Sequence, residues 1–533
     1  MRSAGVKILL RALKRHPVYT LINIVGLAVG MASFILISLF VREELRFDRF
    51  HEHADRIVRV TSHYTDETGT RSFARTYPAI APALLSDFPD VSEATRLQHW
   101  EAPMRSGERQ FNEQELFVVD PSFFRVFSFP LVRGDAAHAL ESKNSVVVTR
   151  SAARRYFGDD DPMGRELVMA DTLHLQVTGL VEDPPPYSHI QFSMLLPMQI
   201  VRDRWARRGN DIDATWTAGT FYTYLLLTSA EARDALQPRL SAFLDRHTDN
   251  RDESGVTFRL ELQRLTDIHL KSHLRQEMGP NGSETYVAAF FLIAILVLLI
   301  SCVNFINLAT ARASKRMREV GVRKALGAPR LGIARQFLGE AFLMTFVALF
   351  LSILIVDCLL PWFNELAGSS ISPASEAQPW HMVSLLALTI AVGFLAGGYP
   401  AIVLSSFRPS HVLRSAASGT TRGVVPGVRR SLVATQFFLS IGIMACTAIA
   451  WQQTVYMRSA PPGFDTHVLV LPYYWDSSVT AQLPTLKHEL MRLSDVQNVT
   501  ASGDVPGRMS TSMSYWIEGM GDEERGGTNA LIV

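Results

Sequence analysis

Histidines and acidic residues are the side chains in this sequence whose types and spacing could hold a metal ion. His51 and His53 lie two positions apart, and His269 and His273 lie four apart. The first pair has no evident third ligand at suitable spacing, and His269 is followed by Leu270 rather than by the Glu that the zinc motif HExxH needs. The acidic run 159–161 lacks the alternation and the closing Glu of a calcium loop. The sequence therefore favours surface or capping histidines and a solvated turn, and predicts no metal site.

Nucleotide chemistry would need a phosphate-binding loop of the form GxxxxGK[ST], and the 533 residues contain none. Gly279-Pro-Asn-Gly282 indicates a turn before an apolar run, and there is no GxSxG nucleophile elbow. The chain is therefore predicted to be non-catalytic and to bind no cofactor. If ATP drives this protein, a separate chain must bind it.

The segment from Arg312 to Ala328 is strongly basic and lies between two long apolar runs. Its spacing predicts a small amphipathic helix, with one face bearing Val322, Ala325 and Leu326 and another bearing Arg312, Arg316, Glu319 and Arg323. Glu319 precedes Arg323 by four residues, the favourable order for an ion pair worth about 0.2–0.5 kcal/mol. Gly327 is predicted to occupy the C′ position after the helix, and Pro329 to block its continuation.

The chain composition indicates a membrane protein. Apolar residues make up 47% and charged residues 19%, and the mean hydropathy is +0.11, whereas soluble domains carry about 25% charge. The net charge of +1 argues against nucleic acid as a main partner. The three cysteines, Cys302, Cys358 and Cys446, lie in apolar runs, which excludes a disulfide framework and a CxxC metal site.

Five apolar runs are long enough to cross a bilayer whose core is about 30 Å thick. They are 17–41, 286–308, 336–360, 381–404 and 431–455. The basic N-terminus, 1–16, precedes the first run, which is too long for a cleavable signal peptide. Because Lys and Arg mark the cytoplasmic side, the N-terminus is predicted to be cytoplasmic, as are segments 309–335 and 405–430. Segments 42–285, 361–380 and 456–533 then lie outside.

Segment 42–285 alternates short β-type runs with helical patterns and is predicted to be a mixed α/β domain. Strands are predicted at Arg56–Val60, Ser145–Thr149, Leu173–Thr178 and Phe221–Leu227, and helices at Pro78–Phe88 and Ser151–Phe157. The predicted fold class is a multi-span α-helical membrane protein with a mixed α/β extracytoplasmic domain inserted between spans 1 and 2.

The intramembrane polar residues form no continuous series that would line an ion or proton path. Asn23, Asn304, Asn307 and Gln436 are the main amides, and helix–helix hydrogen bonding at about 0.6 kcal/mol each is the favoured interpretation. Asp357 is expected near the outer end of the third span rather than at a functional site.

Glu319-Val-Gly-Val-Arg-Lys-Ala-Leu-Gly-Ala328 closely resembles the signature loop of the MacB/FtsX-like permeases of ABC transport systems. Phrases of the predicted outer domain, including Phe47-Asp-Arg-Phe50 and Val177-Thr-Gly-Leu-Val-Glu-Asp-Pro184, resemble the same family. The resemblance implies that 309–335 is a coupling loop that contacts an ATP-binding subunit. The implied contact residues are Arg318, Glu319, Val320, Gly321, Val322, Arg323, Lys324, Ala325, Leu326, Gly327 and Ala328. Glu319, Arg323 and Lys324 would touch the ATPase, and Gly321 and Gly327 would allow close approach.

The end of the chain repeats the order of features at its start. A basic flank, a span, Phe-Asp and a β-type run recur, with Phe464-Asp465 followed by a predicted strand at His467–Leu471. Since the resemblance implies two copies of one unit and eight spans, 456–533 is expected to be an incomplete second outer domain. Whether the functional unit is a homodimer or a pseudo-dimer is left open.

The resemblance implies a multi-pass permease subunit of the bacterial inner membrane, working in the lipid bilayer with a homodimeric ABC ATP-binding subunit. Its motion would serve efflux, export or lipoprotein release. The alternative is a mechanotransmission module that acts on a periplasmic or cell-wall partner, such as a cell-wall hydrolase, without transport. A receptor that needs no ATPase is disfavoured by the basic loop.

Overall fold

The computed structural model describes residues 17–67, 69–217, 219–248, 256–371, 379–406, 426–460, 477–501, 513–514 and 527–528. Within these ranges the side chains of 312–319, 321 and 325 are among those not described. The predicted strand at 467–471 and the second Phe-Asp, 464–465, lie outside the described residues. The chain divides into a helical unit, Met1–Arg46 with Gly282–Pro461, and a sheet unit, Phe47–Asn281 with Pro462–Val533.

The described α-helices are numbered in chain order. They are α1 (Pro17–Leu45), α2 (Ile80–Asp87), α3 (Phe123–Val126), α4 (Arg150–Phe157), α5 (Gln199–Ala206), α6 (Ala232–Leu236), α7 (Leu240–His247), α8 (Ile268–Lys271), α9 (Glu284–Ala325), α10 (Arg330–Ala367), α11 (Pro379–Ser406), α12 (Pro426–Ser459) and α13 (Ser477–Met491).

The described β-strands are numbered in the same way. They are β1 (Ile57–Asp66), β2 (Gly69–Phe73), β3 (Val91–Ser106), β4 (Arg109–Val119), β5 (Leu131–Arg133), β6 (Ser145–Thr149), β7 (Glu166–Met169), β8 (Leu173–Val181), β9 (Met194–Pro197), β10 (Tyr222–Leu227), β11 (Thr257–Arg264), β12 (Met513–Ser514) and β13 (Gly527–Thr528).

Five helices of the helical unit, α1, α9, α10, α11 and α12, are long and apolar enough to cross a membrane. The first four share a buried apolar core. This core is formed by Leu27, Ala28, Met31, Leu298, Cys302, Phe305, Ala341, Met344, Ala348, Leu349, Val392 and Ala396. Small residues let the helices approach closely, as where Gly30 of α1 lies against Ser301 of α9.

The second predicted span and the basic segment form one helix instead of a span followed by a separate short helix. α9 has 42 residues, or about 63 Å at about 1.5 Å per residue. No Pro interrupts it, and its basic part is rich in Ala, Arg, Lys and Met, which are good helix formers. The predicted loop 309–335 is therefore the end of α9, a short turn and the start of α10. We call this helix–turn–helix segment the hairpin, although α9 and α10 do not pack against each other along their lengths.

Helix α10 extends beyond both ends of the predicted third span, 336–360. It begins at Arg330, directly after Pro329, and continues through Pro361 to Ala367. Gly368 ends it in the left-handed conformation, with φ of +62°, as is common for a glycine at C′. Part of the predicted outer loop 361–380 is thus helical.

The sheet unit is built on an eleven-stranded mixed sheet in the order β11-β1-β10-β3-β4-β9-β6-β8-β5. β2 adds to β1, and β7 pairs with both β3 and β8. The pairs β4–β9 and β6–β8 are parallel, and the others are antiparallel. Buried side chains on the strands form three apolar clusters with the short helices and loops. This sheet fits the predicted mixed α/β domain.

Sequence patterns located several elements of this unit. The predicted strand Ser145–Thr149 is β6, and all five of its residues are buried. The predicted strands at Arg56–Val60, Leu173–Thr178 and Phe221–Leu227 correspond to β1, β8 and β10. The predicted helices 78–88 and 151–157 are α2 and α4. The long hairpin of β3 and β4 was not predicted.

Candidate functional site

The turn between α9 and α10, residues Leu326–Pro329 (the hairpin turn), closes α9 with a Schellman motif. The Ala328 N–H donates to the Arg323 carbonyl at 3.1 Å, and the Gly327 N–H donates to the Lys324 carbonyl at 3.0 Å. Gly327 has φ of +93°, a conformation that glycine adopts without steric cost. This geometry confirms the prediction that Gly327 is the C′ residue.

The side chains of Arg323 and Lys324 bind within the helical unit. Arg323 Nη1 donates to Gln336 Oε1 of α10 at 2.9 Å, and Gln336 Nε2 in turn donates to Glu340 Oε1 at 3.4 Å. Lys324 Nζ donates to the Ser405 carbonyl of α11 at 2.5 Å. Partial burial and the nearby Arg330 charge lower the pKa of the Lys324 ammonium. The last turn of α9 is thus joined to both neighbouring helices.

Apolar side chains on the same hairpin are exposed. Leu326 is 83% exposed, Leu331 is 61% exposed and Val322 is 50% exposed, whereas Val320 is buried. The side chains of Arg318, Glu319 and Ala325 are outside the described residues, and so is the predicted Glu319–Arg323 ion pair. Gly321 lies within α9.

The connector that follows α1, residues 46–56, is fixed to the sheet unit by a buried acidic residue. Asp48 has a positive φ of 58° and its side chain is fully buried. Its Oδ1 lies 2.9 Å from His189 Nδ1 and also accepts from the His189 N–H at 3.0 Å. His189 Nε2 lies 2.7 Å from the hydroxyl of Tyr224 on β10. The Asp48 N–H donates to the Tyr187 carbonyl at 2.9 Å.

The connector that precedes α9, residues 272–283, is fixed to the sheet unit by a second network of buried hydrogen bonds. The guanidinium of Arg59 on β1 is fully buried, and Glu277 Oε2 accepts from its Nη1 at 2.6 Å. Arg59 Nη2 also donates to Ser272 Oγ at 3.0 Å and to Gln263 Oε1 at 2.7 Å. Burial alone would raise the pKa of Glu277, but the hydrogen bond and charge of Arg59 outweigh it and the net shift is downward. Both connectors therefore end in anchored positions on the sheet.

Of the two positions expected for the first histidine pair, the surface position is wrong for His51, which is buried. His51 Nδ1 accepts the Ser128 N–H at 3.1 Å, and burial lowers the pKa of His51 to about 4, so it is neutral at pH 7. His269 stacks on Phe47 with 3.4 Å between ring centroids. The described part of the chain contains no group of three or more His, Cys, Asp or Glu that could hold a metal ion. The acidic run 159–161 forms ion pairs, with Arg165 on Asp160 and Arg133 on Asp161.

Two side-chain amides of the helical unit make hydrogen bonds, one to another helix and one to a backbone carbonyl of its own helix. Asn307 Nδ2 of α9 donates to Gln436 Oε1 of α12 at 3.3 Å, which is the helix–helix role favoured for these residues. Asn23 Nδ2 donates to the Tyr19 carbonyl of its own helix at 3.0 Å. Asp357 is exposed on α10.

Sequence reasoning did not identify Asp48, Arg59, Gln336 or Glu277 as paired residues. Arg59 and Glu277 are 218 positions apart, so no local pattern connects them. The available signal was the charged Arg59 within the apolar start of β1, Ile57–Val60. A buried Arg needs a partner, so this residue indicated a pair but not where the partner lies.

Residues 20–243 match the family described as the MacB-like periplasmic core domain. Residues 291–409 match the FtsX-like permease C-terminal family. The first match includes nearly all of α1 and the sheet through β10, and the second includes the hairpin turn.

Curated relatives carry the name macrolide export ATP-binding/permease protein MacB. The protein of Agrobacterium fabrum is 24% identical over 430 residues, which are 78% of this chain and 60% of that protein. The protein of Syntrophobacter fumaroxidans is 31% identical over 382 residues, which are 62% of this chain and 51% of that protein. The chain thus spans a little over half the length of these relatives.

Two crystal structures are also similar to this chain. A domain of a permease protein from Porphyromonas gingivalis has a TM-score of 0.36 at 24% identity, covering 40% of this chain and 91% of that one. The periplasmic region of MacB from Actinobacillus actinomycetemcomitans has a TM-score of 0.26 at 14% identity, covering 38% and 87%. Taken with the two family matches and the curated relatives, the sheet unit and the apolar helices lead to one conclusion: the chain belongs to the MacB/FtsX-like family of ABC transporter permeases.

Proposed function

We propose that this chain is the permease subunit of an ABC-type system in the bacterial inner membrane, with its N-terminus in the cytoplasm. A separate homodimeric ATP-binding subunit binds and hydrolyses ATP. The segment Arg318–Ala328 receives that subunit's motion, and the membrane helices carry it to the extracytoplasmic sheet unit. The outcome is efflux, export or lipoprotein release.

The observation that carries this proposal is the hairpin turn. It lies between two long helices, ends the ten-residue sequence Glu319–Ala328 that begins in α9, and is shaped by a Schellman motif at Gly327. Arg and Lys beside apolar spans favour the cytoplasmic side of a membrane. A short turn whose two helices continue into two candidate spans is suited to pass a displacement from the cytoplasm into the bilayer.

Anchored connectors support the second half of the proposal. Motion reaches an outer domain efficiently only if the segments that join it to the membrane helices do not move independently of it. The Asp48–His189 and Arg59–Glu277 pairs hold both connectors on the sheet. ATP can drive such a motion only if the ATPase interacts differently with the two conformations.

A signalling role is the alternative outcome of the same motion. In that case the sheet unit would act on a periplasmic or cell-wall partner and no solute would cross. The anchored connectors serve this role equally well. An ATPase rate that responds to an exported compound favours transport, and a rate that responds only to an outer protein partner favours signalling.

The proposal is tested by co-expressing the chain with each ABC-type ATP-binding protein of the source organism. Co-purification and ATPase activity in lipid are measured for the wild type and for Glu319→Lys, which reverses a charge in the coupling segment. Arg430→Ala, which removes an exposed positive charge at the start of α12 and outside 309–335, is the control. We expect the Glu319 variant to bind at least tenfold more weakly, or about 1.4 kcal/mol, and the control to bind normally. If the wild type binds none of these ATPases, the coupling role is wrong.

A further inference from the structure

Two basic residues of the segment Arg318–Ala328 (the coupling segment) make hydrogen bonds within the permease itself. Arg323 donates to Gln336 on the second turn of α10, and Gln336 donates to the buried Glu340 one turn further on. The guanidinium is therefore connected, through one amide, to a carboxylate inside the helical unit. A charge-assisted chain of this kind is stronger than neutral hydrogen bonds on an exposed surface.

Lys324, the next residue, makes the corresponding connection to the other neighbouring helix. Its ammonium donates to the carbonyl of Ser405, in the last turn of α11. A cation is favourable at this end of a helix, where carbonyl groups lack intrahelical partners. The last turn of α9 is consequently held by α10 through one side chain and by α11 through the next.

The exposed groups of the hairpin are of a different kind. Leu326 lies in the hairpin turn, and Val322 precedes it by one helical turn; Leu331 follows on the first turn of α10. The apolar part of α9 ends at Ala311, so Leu326 lies about 22 Å further along at about 1.5 Å per residue. An exposed apolar patch rimmed by polar residues is one signature of a protein interaction site, and these three exposed side chains are the apolar groups available for such a contact.

We propose that the coupling segment divides its work between these two sets of residues. Arg323 and Lys324 are positioning residues that bind the last turn of α9 to α10 and α11, so that a displacement of the turn moves three helices together. Leu326, with Val322 and Leu331, is the apolar contact that enters a groove of the ATP-binding subunit. This inference rests on the proposed function and changes the role first expected for Arg323 and Lys324.

The division is tested by measuring ATPase binding and ATPase stimulation separately in lipid. Gln336→Ala removes one internal acceptor of Arg323 without altering the basic segment. We expect Arg323→Ala, Lys324→Ala and Gln336→Ala to bind the ATPase within about twofold of wild type but to lose most of the stimulation. Leu326→Asp is expected to lose binding at least tenfold. Arg430→Ala, the matched loss of an exposed positive charge at the start of α12 and outside 309–335, should leave both quantities unchanged.

A second readout needs no ATPase. A nitroxide placed at Ala328 through Ala328→Cys, in a background without the three native cysteines, reports the mobility of the hairpin turn. We expect mobility to rise in Arg323→Ala and Gln336→Ala by similar amounts, and to stay at the wild-type level in Arg430→Ala. A merely apolar docking surface would not produce this pattern.

The two readouts distinguish failure of the inference from failure of the proposed function. The inference is overturned if Arg323→Ala loses ATPase binding while Gln336→Ala binds and stimulates normally, because Arg323 would then touch the ATPase directly. It is also overturned if the label at Ala328 is insensitive to both changes. Normal ATPase binding by Leu326→Asp would overturn the docking role of Leu326, and the exposed leucine would then be assigned to contact with lipid. Absence of any ATPase partner for the wild type overturns the proposed function and the docking role of Leu326, and the label still decides the internal role of Arg323.

Discussion

Arg59 has its guanidinium fully buried in the sheet unit, and Glu277 neutralises it at 2.6 Å. Because the pKa of Glu277 in the folded protein lies below its ordinary value of 4.5, the carboxylate stabilises the fold at every pH above that value. This contribution is lost as the pH falls through the lowered pKa. Removing one partner of such a buried pair costs about 3–5 kcal/mol, because the other charge stays buried.

We therefore expect Glu277→Gln to weaken the protection of β1 amides at pH 7 by about 3 kcal/mol, measured by hydrogen exchange on the full chain in detergent. The difference from wild type should shrink below pH 4.5, as the wild-type carboxylate protonates.

Glu166→Gln is the matched control, because Glu166 pairs with His174 on the surface and both side chains are more than 60% exposed. Its effect should stay below about 0.5 kcal/mol. Equal protection of β1 in the wild type and in Glu277→Gln at pH 7 would show that the Arg59–Glu277 pair does not stabilise the sheet.

At the scale of single residues, the sequence predicts what depends on neighbours along the chain. Gly327 was identified as C′ because a helical pattern, a glycine and a proline stand within a few positions. The partners of Arg323 could not be found in this way. Gln336 lies 13 positions away, across a turn whose geometry decides which side chains of α9 and α10 meet. For such residues the sequence indicates a need for a partner but not its identity.

At the scale of elements, close approach between helices limits which residues fit. A Cβ on Gly30 of α1 would lie 2.0 Å from Ser301 Oγ and 2.5 Å from Ser301 Cβ of α9. These distances are shorter than any van der Waals contact. A Cβ at position 30 would therefore force α1 and α9 to move apart. At Gly26, one turn earlier, the nearest atom to a Cβ would be Asn304 Nδ2 at 3.6 Å, an ordinary contact.

We expect Gly30→Ala to lower the thermal stability of the chain in detergent by several degrees, since overpacking costs about 1–3 kcal/mol. Gly26→Ala should have little effect. Adding Ser301→Gly to Gly30→Ala restores the space and should recover most of the loss. A double variant no more stable than Gly30→Ala would mean that the α1–α9 contact is not what limits stability.

Element type was more predictable than element extent. Apolar runs of about 20 residues located all five long helices, because bilayer thickness sets the length of such runs. They could not show that α9 continues to Ala325, since a charged helix and an apolar helix join without any local break. Strand β6, which is apolar at three successive positions and short, was found, whereas the β3–β4 pairing depends on contacts between strands rather than on one pattern.

At the scale of the molecule, the sheet unit between Phe47 and Asn281 is held together from one connector to the other. β1 carries Arg59, which binds the second connector, and its neighbour β10 carries Tyr224, whose hydroxyl contacts the His189 that holds Asp48. Both connectors are thus fixed to two adjacent strands. A force applied through either one is transmitted to the same part of the sheet, which favours movement of the unit as one body over deformation within it.

This predicts that ATP changes no distance inside the sheet unit. Spin labels at Ser86→Cys on α2 and Ser142→Cys before β6, both exposed, should give the same narrow distance distribution with and without ATP in the complex with the ATPase. A label pair at Ala328 and Ser142 should respond, because it joins the hairpin turn to the sheet unit. If the Ser86–Ser142 distance distribution shifts or broadens with ATP, the sheet unit deforms internally. The anchored connectors would then transmit the motion into the sheet instead of moving the unit as one body.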